Sequence, residues 1–137
     1  MQLARTCLSF AALAAVCAPA HATETVSCVG TGDPGVTVEM NLGSGLPADR
    51  PNWVRVTTPD GAWSTLSVDE ATPVALYQSF DDGRSFSIDL ADETVESLAI
   101  LIRLLRGEEG DHTVRIGYLR VVGQSIHPIV CDFGESE

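Results

Sequence analysis

E-T-V-E-S-L-A-I-L-I-R-L-L-R, Glu93 to Arg106, is the stretch that decides between two fold classes. Read as a helix, it has acids in and before its first turn (Asp92, Glu93, Glu96), Arg103 and Arg106 in its last, and Gly107 as a stop. Val95, Leu98, Ile102 and Leu105 then share a face. Read as a strand from about Leu98, it is apolar on both sides apart from Arg103, as in a central strand covered by two layers. The sequence on its C-terminal side favours the strand. Gly107 to His112 (G-E-E-G-D-H) is short enough for a hairpin loop, and Thr113 to Val122 supplies a β-rich return with Gly117 expected as a bulge. One short helix near residues 92–98 remains compatible with that reading.

The rest of the chain alternates with a period of two. Val36 to Leu42 sets Val36, Val38, Met40 and Leu42 on one face against Thr37, Glu39 and Asn41. Trp53 to Val68 reads as a hairpin about Pro59-Asp60-Gly61, with Val54 and Val56 inward and Ala62 to Val68 returning. Val74 to Phe80 and Ser85 to Leu90 flank a second hairpin turn, Asp81-Asp82-Gly83-Arg84. G-S-G-L-P-A-D-R-P-N, residues 43–52, is the longest loop signal, and Ser125 to Cys131 forms a last short strand. About eight short strands with regularly spaced turns predict an all-β fold, a small antiparallel β-sandwich or partly closed β-barrel. The expected core is Val36, Val38, Met40, Val54, Val56, Leu76, Phe86, Ile88, Leu90, Ile100, Ile102, Val114, Ile116 and Val130.

Met1 to Ala22 reads as a secretory signal peptide. Arg5 is the basic n-region, Leu8 to Val16 the apolar stretch, and Ala20-His21-Ala22 the cleavage site. The expected mature domain is therefore residues 23–137, in the periplasm or outside the cell. A lipidated Cys17 is the weaker reading, because Val16 is branched where lipoprotein processing wants a small residue. Of four cysteines, Cys7 and Cys17 leave with the leader. Cys28 and Cys131 then pair most simply with each other, which joins the first and last strands. A bridge closing a loop of about a hundred residues is worth up to ~4.7 kcal/mol in the chain-entropy model.

The chain carries 19 acids against 8 bases, all arginine, for a formal charge of −11; loss of Arg5 makes the mature chain one unit more negative. Such a balance argues against nucleic acid or an anionic membrane as partner, both being polyanions. No later segment has the roughly 18 apolar residues of a spanning helix.

Motifs for chemistry are weak. Gly30-Thr31-Gly32-Asp33-Pro34-Gly35 matches G-x-G-x-x-G, but a strand follows where a dinucleotide site needs a helix, so a tight turn is expected. Gly43-Ser44-Gly45 lacks the full nucleophile-elbow spacing. A triad drawn from Ser125, His127 and Asp132 fails on geometry, because Ser and His two apart on one strand do not make a working pair unaided. His112 and His127 are too few for a histidine-rich zinc site. Asp81-Asp82 and Glu108-Glu109-Asp111 lack the spaced pattern of a calcium loop. Neither a metal nor a cofactor is expected, and no catalytic residue is assigned. Trp53 and Trp63 are the candidate partner-binding residues, since exposed aromatics anchor interfaces.

The exported, two-cysteine, all-β outline, with V-R-V-T-T-P-D-G at Val54 to Gly61, is similar in broad shape to the periplasmic lysozyme inhibitors, which are small β-barrels. The resemblance covers outline and hairpin and transfers no site residues. The expected function is a non-enzymatic binding module for a cationic exported protein, a lysozyme inhibitor being its narrower form. A carboxylate-dependent hydrolase is the alternative, and would need two acids facing one another across a cleft.

Overall fold

The structure is a computed structural model that describes residues 24–43 and 50–133. The expected leader, Met1 to Ala22, lies outside the described residues, as do residues 44–49 of the long loop. Ten strands occur in chain order: β1 (Glu24–Gly30), β2 (Thr37–Leu42), β3 (Pro51–Thr58), β4 (Gly61–Ser64), β5 (Thr72–Pro73), β6 (Ala75–Asp81), β7 (Ser85–Ala91), β8 (Leu98–Glu109), β9 (His112–Val121) and β10 (Ser125–Phe133). They form one sheet in the order β5-β4-β3-β2-β1-β10-β9-β8-β7-β6.

All neighbours are antiparallel except β4 and β5, which pair in parallel at Trp63–Thr72 and Ser64–Pro73. The chain runs from β5 through Val74 straight into β6, and Val74 N–H donates to the Ser64 carbonyl at 3.0 Å. One continuous segment therefore serves both ends of the strand order, and the sheet curls into a nearly closed barrel. The expected return strand Ala62 to Val68 is shorter than its pattern suggested, because the chain leaves the sheet after Ser64 to reach β5.

Glu93 to Arg106 is strand where strand was expected. Leu98–Glu109 pairs with β7 on one side and β9 on the other, with Ile100, Ile102 and Leu104 buried. The short helix near residues 92–98 is absent. Asp92 instead gathers a compact loop: its backbone N–H donates to the Ser97 carbonyl at 2.9 Å, and its Oδ1 accepts from Glu96 N–H at 3.0 Å and the Thr94 hydroxyl at 2.9 Å. Val95, at φ 60°, cannot continue a right-handed turn.

The interior is apolar. Val26, Val38, Met40, Val56, Ile88 and Ile102 head a buried cluster that also contains both cysteines. Cys28 and Cys131 are direct cross-strand partners on β1 and β10, their Cα atoms 3.9 Å apart, and the disulfide joins first and last strands inside the barrel. At the end where β8 turns into β9, Arg115 points inward. Its guanidinium lies 4.0 Å from the Phe133 ring centre and 5.6 Å from that of Phe86, and pairs with Asp81 at 3.0 Å. That plug joins β6, β7, β9 and β10 by charge and cation–π attraction.

Three expected core residues are misplaced. Val114, Ile116 and Val130 are exposed, while Leu119, Val121, Ile129 and Cys131 turn inward; Leu76 is half-buried against the core. In β9 and β10 both faces carry apolar residues, so alternation alone does not say which faces in. Gly117 is no bulge, since β9 keeps unbroken register with β8 and β10 there. It faces inward, and a Cβ would collide with the Arg103 backbone carbonyl, so glycine here permits close approach of two strands.

Candidate functional site

The meander sorts its turns to two ends. The β1–β2 turn (31–36), the β3–β4 turn (59–60), the β7–β8 loop (92–97) and the β9–β10 turn (122–124) share one end. Asp33, Asp60, Asp92, Glu93 and Glu96 lie in them, and none of the four turns contains an arginine. The G-x-G-x-x-G segment is the tight turn it was expected to be. Val36 N–H donates to the Asp33 carbonyl at 3.2 Å, Asp33 Oδ1 accepts from Gly35 N–H at 2.9 Å, and a strand follows.

Ser125 and His127 share a face, as expected, and meet at this end, but not as a working nucleophile–base pair. Both point inward from β10, and the third group is Asp60, reaching across from the β3–β4 turn. Ser125 Oγ donates to Asp60 Oδ2 at 2.8 Å and lies 2.9 Å from His127 Nε2. The hydroxyl has one proton, given to the carboxylate, so the imidazole must donate from Nε2 into the oxygen lone pair. A nucleophilic triad needs the reverse: imidazole accepting from the hydroxyl and carboxylate behind the imidazole. Asp132 is not involved; it faces outward opposite Ser27. The trio ties β10 to the β3–β4 turn.

The acidic turns at the other end are also occupied by local bonds. Asp82 Oδ1 accepts from the backbone N–H groups of Ser85 (2.7 Å) and Arg84 (2.9 Å), which hold its carboxyl below the ordinary 3.8. Asp81 Oδ1 accepts from Gly83 N–H, and Glu108 lies 2.9 Å from Arg106. Among the described residues, no group of three or more His, Cys, Asp or Glu is arranged to hold a metal ion. No helix among them is long and apolar enough to cross a membrane.

The two tryptophans part company. Trp63 is 8% exposed and belongs to the core cluster. Trp53 is half-buried on β3 opposite Asn41.

The surface that sequence reasoning missed is on the outside of β8, β9, β10 and β1. Leu105, Ile116, Val130 and Val29 are successive cross-strand partners and form one row of exposed aliphatic side chains, with Leu105 64% and Ile116 50% exposed. Tyr118 and Pro128, also partners and both exposed, extend it on one side, and Val114 on the other. A shallow groove of about 440 Å³ beside it runs between Ser85, Ser87, Arg103, Leu105 and Tyr118. With Cys131 paired inside the barrel, the alternation of β10 turns Val130 and its row outward.

At the edge of this surface sits a buried ion pair. Asp89, 3% exposed, holds its Oδ1 2.6 Å from Arg103 Nη2, too poorly directed for a hydrogen bond but an ion pair in distance. Gln78 Nε2 donates to Oδ2 at 2.6 Å, and Arg103 Nη1 donates to the Ile102 and Ile88 carbonyls at 2.8 and 3.2 Å.

The chain matches no known family model, no curated protein and no solved structure.

Proposed function

We propose that this protein is an exported, non-enzymatic interaction module that captures a cationic exported protein at the acidic end of its barrel. The segregation of charge carries the reading: five carboxylates lie in the four turns of one end, with no arginine among them. The apolar core supports it, because the charged groups are left to the turns and outer faces, where a partner meets them. An opposite field of this kind raises association rates about 10- to 1,000-fold at low ionic strength. A cationic enzyme that attacks the cell envelope, such as a lysozyme, is the narrower form of the same reading. The signal peptide and the disulfide suit such a compartment.

The test is pull-down from the native envelope fraction at low and moderate salt with the disulfide-bonded protein. A cationic protein should be retained at low salt and released as salt rises, and Glu93→Gln with Glu96→Gln should weaken its capture. A partner held regardless of salt would point instead to an apolar contact, Trp53 being the less buried tryptophan, and would overturn the acidic end as the site.

A further inference from the structure

We infer that the outer face of β8–β9–β10–β1 is the contact surface of a homodimer, in which a second copy of this chain packs on the row Leu105–Ile116–Val130–Val29 around a two-fold axis parallel to the strands.

The row is self-complementary. An axis lying in the contact plane, over the seam between β9 and β10, exchanges β9 with β10 and β8 with β1 while keeping each residue at its level. Ile116 then meets Val130 of the second copy, Leu105 meets Val29, and Tyr118 meets Pro128, because these residues are level with one another in the register. This is what an isologous interface requires. The few charges on the face fall without conflict. Arg120, level with Ile126, meets that residue of the second copy, and Asp132, level with Arg115's neighbour Val114, meets Val114. No like charges oppose one another.

Charge also chooses the occupant. The chain carries −11 overall, yet among the described side chains of this face Arg103 is paired with Asp89 and Arg120 stands against Asp132, so the face is close to neutral. It is therefore where a second negative copy is repelled least, and a poor landing place for a cationic partner. Size fits as well. Four strands at about 4.8 Å spacing and four rows about 6.8 Å apart cover on the order of 500 Å² in projection. A standard interface buries about 800 Å² per partner, so the dimer belongs at the weak, reversible end of that class. An exposed apolar patch of this extent on a monomer would itself mark an interaction site.

The inference stands apart from the proposed partner, and salt separates the two. Added salt screens the repulsion between two −11 chains and strengthens the dimer, whereas it weakens capture of a cationic protein. The same axis points both acidic ends in one direction, so the dimer presents them side by side.

Sedimentation equilibrium on the exported, disulfide-bonded protein, from low to high micromolar concentration, provides the test. The mass should rise toward that of two chains, more readily at high salt. Ile116→Arg and Leu105→Arg, each at an exposed position, should fold as judged by circular dichroism and weaken self-association by ~10-fold or more. Tyr77→Arg, on β6 outside the patch, should leave it unchanged. A monomer at every concentration and salt would overturn the inference. So would a dimer that survives both arginine substitutions, or one lost equally in Tyr77→Arg.

Discussion

Arg103 shows how much one side chain on an outer face can carry. It neutralises Asp89, which is all but sealed from water, and donates to two backbone carbonyls besides. Arg103→Ala leaves that carboxylate buried without its cation. Urea denaturation should show a loss of about 2 kcal/mol, below the 3–5 kcal/mol of a fully buried pair because Arg103 is itself partly solvated. Asp82 and Asp92 act through the opposite kind of site, exposed carboxylates wrapped by N–H groups. The Ser85 N–H chiefly, then that of Arg84, lowers the Asp82 carboxyl; the Glu96 N–H chiefly, then the Thr94 hydroxyl, lowers that of Asp92. A carboxyl lowered on folding stabilises the fold fully above its unfolded value near 4, and that contribution is lost as pH falls through the folded value. Melting temperatures of Asp82→Asn and Asp92→Asn should accordingly fall less steeply below pH 4 than those of the parent protein. Asp82 was visible in the sequence as a turn residue; its bonds were not, because they depend on backbone groups that only the folded turn aims at it.

At the scale of elements, β8 to β10 divide what sequence reveals from what it hides. Strand identity was legible, because a short loop between two β-rich segments leaves little room for anything but a hairpin. The direction each face points was not, because Leu105, Ile116 and Val130 are as apolar as the residues they back onto. The turns at Asp33 and Asp60 were legible as turns, whereas residues 92–97 read as a short helix, and the gathering of all three at one end needed the strand order. The loop before β8 holds the clearest local misfit. Val95 is β-branched, half-exposed and at φ 60°, where a Cβ crowds the following carbonyl. Val95→Gly should therefore raise stability by about 1 kcal/mol, visible as a higher urea midpoint with unchanged slope. A loss would mean that the valine side chain contributes packing that outweighs its backbone strain.

For the whole molecule the disulfide is the widest constraint, spanning 103 residues of sequence between strands that touch. The cysteine count made it legible, since only two cysteines follow residue 22. Its position, in register and inside the barrel, was not. Cys28→Ser should cost about 2–5 kcal/mol, and intact mass of the chain from residue 23 should show two blockable thiols only after reduction. The same bond decides how the domain bears mechanical load. The outer ends of β1 and β10 lie side by side at one end of the barrel, so tension applied through residues 24 and 133 peels the two strands apart like a zip. Only Val26–Phe133 and Ser27–Asp132 stand before the Cys28–Cys131 rung, and there the peeling meets a covalent stop. A pull on the oxidised protein opens those two rungs, together with the outer β1–β2 pairs from Glu24–Leu42 to Ser27–Glu39, before the covalent bond takes the load.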